Sequence, residues 1–363
     1  MFQSKFFRAC YGILLVFLIV YLGTKIDFIF KPIVVLFNTI FFPLLIAGVL
    51  YYLFRPIVFF LEKKKIPRTL SILLIYIGAA ALFTLLIITV FPILWKQITD
   101  LINQIPAFAD EITFMVKDVM DSKWFMEVQQ TSAFNLDSII STATGYATEF
   151  LKGITTNITG FIGVVTNVVM IFVTVPIVLF YLLKEGEKAP VNLLRFLPKN
   201  RRENGRAILT QMDDTISSYI QGQVLVSTCV GTLLLIGYWI IGIEYALLLA
   251  IAAMLTNVIP YLGPILATIP ALFVALADDN SMMVVYVLIV MTVAQQIESN
   301  FISPQIMGNK LEMHPITIIF IILAAGSLAG VLGVILAVPF YAIMKVLVSN
   351  IYRLIMLRYP EEK

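Results

Sequence analysis

The residues able to do chemistry in this 363-residue chain crowd into one short stretch: Gln295, Gln296, Glu298, Ser299, Asn300, Ser303, Pro304 and Gln305. At helical spacing Gln295 and Glu298 are i, i+3 neighbours and present one amide and one carboxylate together. A carboxylate inside a bilayer costs several kcal/mol and by default marks the path of a proton, an ion or a solute. The bland alternative is that Glu298 sits at headgroup level, where a helix leaves the membrane. Asn257, just before Pro260, adds a second amide. His314, beside Pro315, is either a proton-responsive group or the cap of the next element. It is the single histidine, so no multi-histidine metal site can form. Cys10 and Cys229 lie in different apolar windows and read as small core residues. The chain has no HExxH motif and no phosphate-binding P-loop, so no metal, cofactor or enzymatic activity is expected.

These residues must be held by membrane-embedded elements. Windows 33–54, 69–95, 153–183, 215–243, 245–277 and 315–344 contain no Asp, Glu, Lys or Arg. Each reaches or exceeds the roughly 20 residues that cross a ~30 Å hydrocarbon layer. The chain is 60% hydrophobic and 13% charged, where a soluble domain carries about 25% charge. A large soluble enzyme is thereby excluded, and an all-α polytopic membrane protein is expected.

Two late windows are interrupted. Residues 245–277 contain Pro260, Gly263, Pro264 and Pro270, and 315–344 contain Gly326, Gly330, Gly333 and Pro339. Neither is long enough for two full crossings. Each is one tilted span or a re-entrant pair of half-helices, whose freed backbone groups face protein or a watery cavity. The strings LGPILA (262–267) and LGVILA (332–337) match at five of six positions. Such a match is cheap in apolar sequence, and paired Gly/Pro-interrupted segments also point to a transporter's substrate site.

Lys and Arg accumulate in cytoplasmic loops. Arg55, Lys63, Lys64, Lys65 and Arg68 against Glu62 put 55–68 inside, and the basic segment 184–214 joins it. Segment 95–152, with four lysines against eight acids, belongs outside. Both termini are expected in the cytoplasm, with 9–24 as a retained signal anchor. Crossings at about 9–24, 33–54, 69–94, 160–183, 222–243 and 281–300, plus two hairpins entering from opposite faces, fit this charge distribution best. Treating each hairpin as one crossing gives eight spans.

The resulting organisation is 1–94 N-terminal helices, 95–152 an extracytoplasmic amphipathic segment, 153–350 a transport core, and 351–363 a cytoplasmic tail. In the outer segment, Ile98, Leu101, Ile102, Ile105, Phe108, Ile112, Met115, Val116 and Met120 recur at helical intervals, with a kink expected at Pro106. That stripe faces its own chain, a second subunit in a homo-oligomer, or the membrane surface. The basic cluster 199–206 is read as a topology determinant beside anionic headgroups, not as a nucleic-acid site. Pro190 and Pro198 are expected in a loop, followed by a helix through Met212, Ile216 and Ile220.

The strings KKKIPR (63–68), LLKEGEK (182–188), LLRFLP (193–198), YIQGQ (219–223), NVIPYLGP (257–264), QQIESNFISPQIMG (295–308) and LEMHP (311–315) resemble, in order, those of the autoinducer-2 exporter family of bacterial permeases. The resemblance implies a protein of the bacterial cytoplasmic membrane, commonly with eight spans. It implies export of a small polar metabolite such as the signal autoinducer-2, or sodium(lithium)/proton antiport. A structural protein without a substrate would leave the polar stretch unexplained. The site residues carried by these strings are Asn257, Pro260, Gly263, Pro264, Gln295, Gln296, Glu298, Asn300, Pro304, Gly308, His314 and Pro315. The expected partners are the lipid bilayer and a small polar solute or a monovalent cation and proton.

Overall fold

The computed structural model describes residues 27–101, 161–195, 202–278, 282–308 and 314–356, with isolated positions beside them. Most of 9–24 and nearly all of the outer segment beyond 101 lie outside the described residues. Every regular element among the described residues is a helix. The helices are α1 Asp27–Lys63, α2 Arg68–Thr89, α3 over 91–101, α4 Phe161–Glu185, α5 Lys188–Leu194 and α6 Arg202–Ile241, then α7 Ala246–Thr256, α8 Leu262–Leu276 and α9 Met283–Ile297. A π-helix, Glu298–Ile302, joins α9 to α10 Ser303–Met307, and helical residues resume over Pro315–Met356 as α11.

Two boundaries differ from the expected ones. Most of the basic loop 55–68 is helix, because α1 runs on to Lys63 and only residues 64–67 turn. A span that leaves the membrane can stay helical in water while its lysines face headgroups. Pro190, expected in a loop, sits in the first turn of α5, where its missing N–H has no intrahelical partner to lose.

The described stretches long and apolar enough to cross a membrane are Pro43–Lys63, Arg68–Thr89, Arg202–Ile241, Met283–Met307 and Gly333–Asn350. Window 245–277 is instead two short helices of 11 and 15 residues. At 1.5 Å per residue they measure about 16 and 22 Å, short of a full crossing. They fold against each other through a turn at 257–261, where Tyr261 adopts φ +64°. This is hairpin 1.

The second interrupted window also folds back, within α11. Gly330 has φ +60°, a conformation that turns the chain and that L side chains rarely adopt. A Cβ placed on Gly326 would lie 2.9 Å from Val334 Cγ2. Residues eight apart in a straight helix are separated by about 12 Å, so the chain doubles back between them. Ile318 and Ile322 accordingly share a buried cluster with Ala337 and Val338. The arms of this hairpin 2 are Pro315–Leu328 and the longer Gly333–Asn350. LGPILA and LGVILA each open the returning arm of their hairpin.

Helix α6 is the mast on which both hairpins hang. Hairpin 1 starts beside its C-terminal end and reaches down to Gln223, whose Nε2 donates to the Asn257 carbonyl at 2.6 Å. Hairpin 2 ends beside its other end, where Asn350 Nδ2 donates to Gln211 Oε1 at 3.0 Å. Val226, Val230, Leu234 and Tyr238 of α6 form the main core with Leu249, Ala253, Ala267, Ala271 and Val287. A second core joins α1, α2 and α4 through Ala47, Val58, Ile72, Val175 and Leu183. Trp95 and Trp239, both exposed, mark the same end of the bundle as the bond from Leu248 N–H to Gln97 Oε1, as an interfacial aromatic belt would.

The two ends of α6 being opposite faces of the membrane leads to a topology prediction. In a background without Cys10 and Cys229, a cysteine at Asn280, in the exposed turn between hairpin 1 and α9, should react with an impermeant maleimide on intact cells. Labelling only after permeabilisation would instead put this turn in the cytoplasm, as eight full spans require.

Candidate functional site

Glu298 stands where α9 changes to a π-helix. Proline explains that change. Pro304 has no N–H for the Asn300 carbonyl and its ring crowds that oxygen. The turn widens, and the Ser303 N–H reaches back to the Glu298 carbonyl five residues earlier. Ser299 Oγ donates to the Gln295 carbonyl at 2.9 Å and Asn300 Nδ2 to the Gln296 carbonyl at 2.9 Å, so side chains satisfy part of the loosened ladder.

The carboxylate is half-buried and held by two amides. Gln295 Nε2 donates to Oε2 at 3.0 Å, and Asn257 Nδ2, from the tip of hairpin 1, points to Oε1 at 3.4 Å. Asn257 is itself buried and fixed through its carbonyl by Gln223. One hydrogen-bonded chain, Gln223–Asn257–Glu298–Gln295, thus ties α6, hairpin 1 and α9 together.

Its depth follows from the helix contacts. Gly237 of α6 abuts Val290, and a Cβ on Gly222 would lie 3.2 Å from Met307 Cγ. Glu298 lies between these levels, and both glycines fall inside the uncharged stretch 215–243. The bonds through Asn257 set the carboxylate near the level of Gln223, toward the Gly222 end of this stretch. A cavity of about 240 Å³ lies between hairpin 1, α6 and α9, lined by Asn257 and Gln295, the two partners of Glu298, and not by Glu298 itself. Its wall is mainly apolar, with Val230, Leu234, Ile265, Leu288 and Met291, and Asn257, Thr268, Thr292 and Gln295 are its polar residues.

The tip geometry depends on small and rigid residues. Gly263 passes so close to the end of α7 that a Cβ would lie 2.6 Å from Asn257 Cα. Leu262 and Gly263 donate to the Pro260 and Ile259 carbonyls, at 2.8 Å each. Pro264 contributes no donor, so the start of α8 offers few free N–H groups to a ligand.

Among the residues expected from sequence, the structure brings together Asn257, Gln295 and Glu298, with Pro260, Gly263 and Pro264 shaping the tip. Gln296 and Asn300 pair with each other at 2.8 Å instead of with the carboxylate. Gly308 ends α10 with φ +56°. His314 and Pro315 open hairpin 2, where the Ile316 N–H points to His314 Nδ1 at 3.4 Å, the capping arrangement. Gln223, Thr268 and Thr292 were not among the expected site residues. Gln223 was recognisable as an amide in an otherwise uncharged window; the two threonines carry no comparable signal.

Replacing Pro304 by Ala restores an N–H at that position and should let the π-turn relax to α. The register of α10 against Gly222 would then shift by about 100° of helix rotation. Transport is expected to fall about tenfold with the melting temperature unchanged or raised. Unchanged transport would make the π-turn incidental.

Broken helices beside a cavity within a polytopic, all-helical bundle are the arrangement that membrane permeases use. The sequence comparison refines that class: the chain belongs to the AI-2E family of transporters, whose family profile matches residues 12–353. It is 41% identical to "Putative transport protein YueF" of Bacillus subtilis over 99% of this chain and 96% of that protein. It is 34% identical to YrrI of the same organism over 94% of this chain and 95% of that protein. "Putative permease PerM" of Escherichia coli K12 is 27% identical over 87% of this chain and 88% of its own length.

Proposed function

We propose that this protein is a secondary transporter of the bacterial cytoplasmic membrane that exports a small polar solute of the autoinducer-2 type, with Glu298 carrying the coupled proton. Both termini lie in the cytoplasm in this reading. The observation that carries it is the half-buried Glu298 carboxylate, held by two amides from different elements that also line a cavity of about 240 Å³. That volume is below the range of drug-sized sites and suits a small solute. The Thr268 and Thr292 hydroxyls donate to their own helices and the Asn257 and Gln295 amides to Glu298, so what they offer a solute is their remaining acceptor capacity. Protonation of Glu298 alters its bonds to the hairpin tip, which links the proton to the solute.

Sodium(lithium)/proton exchange would use the same carboxylate without needing the cavity. Flux into proteoliposomes separates the two. Labelled autoinducer-2 should move in response to an imposed pH gradient, with sodium making no difference. Sodium-dependent proton movement without solute flux would establish the antiporter instead.

A further inference from the structure

The described helices form two bundles with separate cores, α1–α2–α4 and α6 through α11. Val49, Tyr52 and Leu53 of α1 pack against the second bundle, and beside them the seam opens into a groove. It holds an apolar cavity of about 380 Å³, walled by Leu45 and Val49 of α1, Ile216 and Ile220 of α6, and Ile321 and Ala325 of hairpin 2. Leu44, Leu328 and Phe340 on its rim are exposed, so it is a groove open to the apolar surroundings and not a sealed interior void. Below the cavity, toward the basic end of α1, the seam closes on a polar clip. Arg55 Nη1 donates to Asp213 Oδ2 at 2.6 Å, and Tyr52 Oη donates to Asp213 Oδ1 at 3.1 Å. Gln221 Nε2 donates to the Tyr52 carbonyl at 2.9 Å. The guanidinium also lies over the rings of Tyr51 and Phe59.

The clip is incompletely satisfied. Arg55 Nε is buried and finds no hydrogen-bond partner among the described residues. A buried donor left open calls for an explanation, and a contact optimised only to hold two bundles together would have closed it. A clip that forms in one of two arrangements need not. We propose that the Arg55–Asp213–Tyr52 cluster is a latch between the two bundles, closed in the arrangement seen here and opened in each transport cycle. The bundle that carries Glu298 is then free to shift against α1. The latch rests on the transporter reading only for what its movement carries.

The test replaces the ion pair by a switchable one. In Arg55→His/Asp213→His, Zn²⁺ can bridge the two imidazoles and hold the latch shut. Zn²⁺ should raise the melting temperature of the double variant alone and lower solute flux at least tenfold, with recovery on adding EDTA. Flux that persists while the melting temperature shows the metal bound would overturn the proposal. A readout independent of any solute uses spin labels at Leu70 on α2 and Val285 on α9, both exposed. The unsubstituted pair should give two distance populations, and Zn²⁺ on the double variant should leave one. If the double variant does not fold, Tyr52→Phe removes one of the clip's contacts and should shift the populations severalfold toward the open one. A single population, unchanged by either manipulation, would contradict the latch even if the solute assignment is wrong.

Discussion

Glu298→Gln is expected to leave a protein that folds and inserts but has lost the pH dependence of its transport. The substitution keeps the size of the side chain and most of its hydrogen-bonding capacity, while removing the charge and the exchangeable proton. Gln295 Nε2 can still donate to the remaining amide oxygen, and Asn257 can reorient, so the hairpin tip keeps its place. Flux driven by a pH gradient should fall by at least about tenfold, since the carboxylate is the group invoked to carry the proton across the apolar layer. Downhill exchange of solute, which needs no net proton movement, should survive. If gradient-driven flux in proteoliposomes is equal in the variant and the parent, Glu298 is not the coupling group.

Gly263→Val should have the largest effect on the fold. A Cβ at that position would lie 2.6 Å from Asn257 Cα and 2.7 Å from the Thr256 carbonyl carbon. Both are backbone atoms at the end of α7, which no rotamer change can move. The two arms must separate, displacing Asn257 from Glu298 and loosening the core around Ala267 and Ala271. Overpacking of this kind costs at least about 3 kcal/mol. The variant is expected to accumulate poorly or melt far below the parent in detergent. Gly78→Ala is the control: nothing lies within 4 Å of the added carbon, and an exposed helical Gly→Ala change adds roughly 0.5–1 kcal/mol of stability. Equal melting temperatures for Gly263→Val and the parent would refute the close crossing at the hairpin tip.

Much of this architecture was legible because the bilayer imposes a length rule. Uncharged windows of known length, separated by lysine- and arginine-rich loops, marked the membrane helices, and Gly/Pro interruptions marked the two windows that fold back without deciding between a tilted span and a re-entrant pair. The position of Glu298 beside Gln295 followed from helical spacing alone. Residue type marked Asn257 as a polar group at the first break, but no local spacing encodes its contact with Glu298, 41 residues away. That contact depends on how hairpin 1 packs on α6 and α9. Proline signals were misleading in one place: Pro190 reads as a breaker until its first-turn position is known. The clip between Arg55 and Asp213 was hidden for another reason. Both residues lie in segments that charge counting assigns to cytoplasmic loops, and only the continuation of α1 to Lys63 brings Arg55 against α6.

In the proposed route, solute passes through the cavity lined by the Glu298 partners Asn257 and Gln295. Thr268 lines that cavity on hairpin 1, and its hydroxyl is occupied by the Pro264 carbonyl at 2.7 Å. In a background lacking Cys10 and Cys229, Thr268→Cys should react with a small water-soluble thiosulfonate, and saturating autoinducer-2 should slow that reaction severalfold. A cysteine at Asn280, in the exposed turn before α9, should show no such protection. Labelling of Thr268→Cys at the same rate with and without solute, in protein shown to transport it, would place the pathway elsewhere.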